Sequence, residues 1–216
     1  MTASSASDSS TTTATATGSG REPVYRHHVE GFGTVRVTPV DPAADSALIH
    51  SWVTQERAHF WGMGGASREL VQEIYEDVDR RTTHHAFMVS RDGEQVALFQ
   101  TYECAEDRVS ECYEVQPGDV GVHLLIGPGK GEREHGFTAH LMSAFISFVF
   151  SDATVRRVVV EPDARNDKAI ALMERTGFAL GPEVELPEVD LPEVYIPAKR
   201  ARLAFFDAPA SLREAR

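Results

Sequence analysis

Residues 120–180 constrain the fold more than any other part of the chain. An apolar run at 120–126 (Val-Gly-Val-His-Leu-Leu-Ile) meets the glycine-rich stretch Gly127-Pro128-Gly129-Lys130-Gly131, and a strongly apolar helical segment follows at 136–150. A short apolar run at 155–160 comes next, then an amphipathic helix at 166–176 that stops at Gly177, a residue able to take the left-handed conformation of a helix end. Strand–helix–strand units of this kind need crossovers. Crossovers are right-handed and lay their strands side by side in one sheet, with helices on its faces.

The flanking sequence extends this sheet. Strands are expected at 24–29 and 34–39, joined by Glu30-Gly31-Phe32-Gly33, and at 84–91 and 95–104 around Arg91-Asp92-Gly93. Asp41-Pro42 opens a helix with a capping carboxylate and a proline at its first position; Leu48, Ile49, Trp52 and Val53 follow at helical spacing. Ser67 caps a second helix with the stripe Leu70, Val71, Ile74, Tyr75 and Val78. A strand begins at 178–180 and a last one spans 201–206. Between them Pro-Glu-Val recurs at 182, 187 and 192, which excludes a regular central strand and leaves a loop or a sheet edge. The fold class is α/β, or α+β, with a mixed sheet covered on both faces. One domain is expected over 23–208, with tails at 1–22 and 209–216. Residues 1–20 are almost entirely Ser, Thr, Ala and Gly, too poor in apolar surface to offset ordering, and they lack the basic start and apolar run of a secretory signal.

Charge and cysteines narrow the function. With 33 Asp plus Glu against 21 Lys plus Arg, the net charge is −12, which disfavours nucleic acid as a partner and suits a small cationic substrate. No apolar stretch is long enough to span a membrane, and a cytoplasmic location as monomer or homodimer is expected. Cys104 and Cys112 are too few and too widely spaced for a structural zinc site and read as free thiols. The pairs His27-His28 and His84-His85 point to opposite faces of their strands, so no metal is expected.

The loop at 127–135 reverses the local sign. Lys130 and Arg133 lead into the start of a helix, where free amides and the dipole favour phosphate. It is neither a Walker loop nor a dinucleotide fingerprint, and on its own it reads equally as a flexible connection. The segment Asn166-Asp167-Lys168-Ala169 through Gly177-Phe178, with Arg133-x-x-Gly136-x-Thr138 before it, resembles the paired motifs of the GCN5-related N-acetyltransferase (GNAT) superfamily. That resemblance implies a GNAT fold and an acyl-CoA co-substrate, acetyl-CoA or succinyl-CoA. Pyrophosphate would lie on Lys130, Arg133 and the amides of His135, Gly136, Phe137 and Thr138. The pantetheine arm would pair with Leu124, Leu125 and Ile126, near Asn166. Two positions depart from the pattern: Arg133 lies five residues after Pro128 instead of three, and Met173 stands where many members carry a tyrosine that protonates the leaving thiolate.

Asp119-x-Gly121-x-His123-Leu124-Leu125-Ile126-Gly127, Ala58-His59-Phe60-Trp61-Gly62-Met63 and Glu161-Pro162-Asp163 are similar to the acyltransferases of hydroxamate siderophore synthesis, desferrioxamine and mycobactin types, over 28–206. The likeness implies acylation of an N-hydroxylated diamine or amino-acid side chain such as N-hydroxycadaverine. A histidine inside an apolar strand otherwise reads as a hydrogen-bonded core residue; the likeness makes His123 the general base, with Asp163 orienting it or sharing its role. Asp163 reads equally as a helix cap. His59, Trp61 and Met63 either wall the substrate pocket or pack the first helix. Glu103, Glu106, Asp107 and Asp119 either receive a distal ammonium or form a solvated edge. An aminoglycoside or polyamine N-acetyltransferase and a silent acyl-CoA-binding module are the competing functions.

Overall fold

Alternation of apolar residues along the strands builds an eight-stranded sheet. The computed structural model describes residues 21–129, 131, 134–190 and 195–210. Strands β1 (Tyr25–Val29), β2 (Gly33–Pro39), β3 (His84–Arg91), β4 (Glu94–Glu103), β5 (Asp119–Ile126), β6 (Arg157–Val160), β7 (Ala179–Leu186) and β10 (Lys199–Asp207) lie in the order β1-β2-β3-β4-β5-β6-β10-β7. Two short strands, β8 (Val189–Asp190) and β9 (Tyr195–Ile196), pair apart from it. Neighbours in the large sheet are antiparallel except β5 and β6.

Helices cover both faces. α1 (Pro42–Val53) is capped by Asp41, which accepts from the Ala44 amide, and α2 (Arg68–Arg80) by Ser67, which accepts from Leu70. Ile49, Trp52, Val53, Val71 and Tyr75 pack on Met88, Leu98 and Leu125 on one face. Leu70, expected in the buried stripe, is exposed. On the other face α3 (Phe137–Val149) and α4 (Asp167–Arg175) bury Leu141, Phe145 and Met173 against Phe99, Val122 and Val158.

The first Pro-Glu-Val repeat resolves as the edge alternative. Pro182 lies inside β7, the outermost strand, where the register with β10 shifts between Arg202 and Ala204. A bulge on an edge strand accommodates a proline because no ladder bond is demanded of its nitrogen there. Pro187 ends that strand's extension; Pro192, Glu193 and Val194 lie outside the described residues, as do 1–20 and 211–216. Arg21, expected within the tail, donates to Pro39 O and to both carboxylate oxygens of Asp45. No helix among the described residues is long and apolar enough to cross a membrane.

Candidate active site

β5 and β6 pair in parallel over only three positions, Asp119 with Arg157, Val120 with Val158 and Gly121 with Val159. Beyond them β5 runs on to Ile126 against β4 alone, so its other edge opens onto a cleft. Antiparallel pairing alternates which residues turn their backbone to the partner. The Gly127 amide donates to Val96 O on the β4 side. Counting back, Leu125 faces β4, while Leu124 and Ile126 turn their amides and carbonyls to the cleft. Leu124 thus turns both its backbone groups to the cleft, while the Ile126 carbonyl accepts from Arg57 Nη1; Leu125 buries its side chain against α1 and α2.

Three groups fix His123 at the mouth of this cleft. Its Nε2 lies 2.7 Å from Glu161 Oε1, and its Nδ1 lies 3.2 Å from Oε1 of Gln100, the residue opposite it on β4. The indole of Trp61 stands edge-on to the ring at 6.2 Å. Glu161, the first residue past β6, is buried. Burial opposes its ionisation, but the charges of His123 and Lys199 outweigh that cost and hold its carboxyl down at about 2. Lys199 on β10 stands 3.5 Å from Glu161 Oε1 and donates to the Glu161 carbonyl. An ionised carboxylate only accepts, so Nε2 carries the proton and Nδ1 is the basic atom of the neutral ring. The Gln100 amide matches either state of His123: its oxygen accepts from the imidazolium, and its NH₂, turned over, donates to the neutral ring.

The carboxylate against His123 is Glu161, not the Asp163 expected to orient it. Asp163 sits two residues further on, where the strands have parted. Both its carboxylate oxygens are taken by the Arg165 guanidinium, and Oδ1 also accepts the Arg165 amide. Parity explains the exchange: Gly121 lies against Val159, so two residues on along each strand His123 meets Glu161 on the same face.

Asp119, expected to receive a substrate ammonium, is engaged by the protein itself. It is buried at the far end of β5, receiving Arg157 at 2.8 and 2.6 Å, the Tyr113 hydroxyl and the Gln116 amide. Glu103 is exposed and, three residues past Gln100, points to the sheet face opposite His123. His59 is exposed; its Nδ1 donates to Glu56 O and its ring packs on Phe60. Met63 packs beneath α1 and α2. Of the three expected wall residues, Trp61 alone is shown against His123.

The 3₁₀ turn Glu56–Trp61 roofs the cleft. Arg57 Nη1 donates to Ile126 O at 2.7 Å, and the Arg165 guanidinium stands 5.9 Å from the Phe60 ring centroid. Below, α3 starts at Gly136, whose φ of +79° turns the chain into the helix; no side chain caps it and its first turn carries no acid. The turn is anchored through Glu134, paired with Arg91, which lies over Phe32. His135, Gly136, Phe137 and Thr138 thus place an uncompensated helix N-terminus where phosphate was expected; Lys130 and Arg133 lie outside the described residues. Asn166 caps α4, its Oδ1 accepting from Ala169. Met173 is buried. Glu161, Gln100, Lys199 and Arg57 were not expected in the site; the register of β5 on β4 and β6 brings the first two to His123.

The acetyltransferase (GNAT) domain family matches residues 41–186. The chain is 25 % identical over 170 residues to the N(6)-hydroxylysine O-acetyltransferase of Escherichia coli, covering 77 % of this chain and 50 % of that protein. It is 32 % identical over 120 residues to the N-hydroxyputrescine acetyltransferase of Acinetobacter baumannii, 55 % of this chain and 56 % of that one. It spans about half the length of these curated relatives. The fold superposes on aminoglycoside acetyltransferase AAC(6')-Ib, solved with coenzyme A and kanamycin, with a TM-score of 0.66 at 20 % identity over 84 % of this chain and 98 % of that one. With this mixed sheet and a family match over residues 41–186, the chain belongs to the GNAT acetyltransferase family.

Proposed function

We propose that this protein transfers an acyl group from an acyl-CoA thioester to the nitrogen of an N-hydroxylated diamine or amino-acid side chain, N-hydroxycadaverine being the type substrate, and so makes a hydroxamate for siderophore assembly. The observation that carries the reading is His123, held by the buried Glu161 where the β5–β6 ladder stops and the Leu124 backbone turns away from β4. The names of the hydroxylysine and hydroxyputrescine relatives support the acceptor class.

A hydroxylamine nitrogen is weakly basic and arrives neutral at pH 7, so the protein need only collect its proton as the bond to the acyl carbon forms. His123 Nδ1 takes that proton, the Gln100 amide giving way, while Glu161 holds Nε2–H and stabilises the imidazolium. The Leu124 amide, turned to the cleft, is the donor for the oxyanion of the tetrahedral intermediate. As the intermediate collapses, the C–S bond breaks and the imidazolium returns its proton to the departing sulfur, so no donor is required at Met173. The open edge, the helix start and the roof over them suit a CoA thioester; acetyl and succinyl groups are the candidate cargoes.

Thiol release from acetyl-CoA and succinyl-CoA, with N-hydroxycadaverine, N-hydroxylysine, cadaverine and kanamycin as acceptors, tests this. Selective turnover of a hydroxylamine, with a product that colours with ferric iron, supports the reading, and an O-acyl product fails that colour test. Turnover of kanamycin alone moves the protein to the aminoglycoside enzymes it superposes on. CoA binding with silence on every acceptor makes it a binding module. His123→Ala should lower turnover about 100-fold or more while CoA binding persists.

A further inference from the structure

Among the described residues of this acidic chain, Arg57 has no carboxylate partner. Its Nε donates to Gln55 Oε1 and its Nη1 to Ile126 O, both at 2.7 Å, and both acceptors are neutral. Among the described residues no ion pair satisfies it, whereas Arg21, Arg91, Arg157, Arg165 and Arg202 each meet an acid. Burial of its inner side already lowers its pKa, so the cation is partly desolvated without compensation. The two bonds pin the guanidinium over the open edge of β5 and leave its Nη2 amino group without a partner among the described residues. It lies on the sheet face of α1, α2 and Trp61, whereas α3, whose start suits phosphate, packs on the opposite face.

We propose that Arg57 reads a carboxylate carried by a substrate bound over the β5–β6 cleft. The inference rests on the acyl-donor reading above. A pinned guanidinium fork matches a carboxylate, forms charge-assisted bonds and loses little side-chain entropy on pairing. Two sources share that chemistry: the far end of a dicarboxylic acyl group, or the α-carboxylate of an amino-acid acceptor.

The test is the selectivity of the full chain and of its Arg57→Gln and Arg57→Lys variants. Calorimetry gives the Kd of acetyl-CoA and succinyl-CoA, independent of any acceptor; turnover gives kcat/KM for N-hydroxycadaverine against N-hydroxylysine. If the acyl end is read, Arg57→Gln lowers the succinyl-to-acetyl affinity ratio about 10-fold or more, and Arg57→Lys restores part of it. If the acceptor is read, the hydroxylysine-to-hydroxycadaverine ratio falls by a similar factor and the donor ratio stays put. Equal losses on all substrates, or no change in either ratio, overturn the proposal, because a merely structural arginine cannot sort substrates by charge. Failure of the unaltered protein to bind either thioester would instead sink the acyl-donor reading itself.

Discussion

Exchanging Glu161 for Gln separates the two acids that follow β6. The amide is isosteric, so the side chain keeps its volume beside β6, but the charge that holds His123 Nε2–H at 2.7 Å is lost. Charge-assisted hydrogen bonds contribute about 1.5–3 kcal/mol. At 1.36 kcal/mol per decade that is a loss of about 10- to 100-fold in kcat, because the bond strengthens as His123 becomes imidazolium. The donor KM should hardly move, since Glu161 lies behind the base and not along the open edge. Asp163→Asn is the companion: its carboxylate serves Arg165, so kcat should fall less than about 5-fold. Steady-state thiol release with both variants is sufficient. A crippled Asp163→Asn beside a healthy Glu161→Gln would refute the assignment and return the orienting role to Asp163.

Three further outcomes follow from the same geometry. Glu161 has a folded pKa of about 2 against a usual 4.5, so its ionisation stabilises the fold above about pH 4.5 and that contribution is lost as pH falls towards 2. Roughly 3 kcal/mol is at stake, and acid unfolding followed by circular dichroism should be shallower in Glu161→Gln than in the parent. A Cβ at Gly121 would lie 2.0 Å from the Tyr102 ring, so Gly121→Ala must displace that ring, at about 1–3 kcal/mol in chemical denaturation. Asp119→Asn breaks a buried pair with Arg157 and should cost about 3 kcal/mol or more of stability. The acceptor KM of the folded fraction should be unchanged; a raised KM would restore Asp119 to the substrate site.

Most of the sheet was legible because its strands are apolar on both faces or alternate cleanly, and because Asp41, Ser67 and Gly177 are strong local stops. His123 was legible as a polar residue in an apolar strand. Glu161 was not: it and Asp163 have the same parity past the same strand, and only the register of Gly121 on Val159, a tertiary fact, decides which meets the histidine. Asp119 misled because an acid beside the motif looks solvated until Arg157, thirty-eight positions away, is brought against it. Arg57 and Lys199 reach the site from a 3₁₀ turn and a distant strand, and no local pattern announces either. The β7 proline was readable as an edge, although its bulge was not.

The brevity of the β5–β6 pairing also has a mechanical meaning. A sheet resists shear because many ladder bonds must yield together, and here three residue pairs join five strands on one side to three on the other. Compliance is concentrated along that seam. The bond from His123 to Glu161 is a rivet across it, placed just where the backbone stitching stops, so the residue proposed as the base also ties the two half-sheets together.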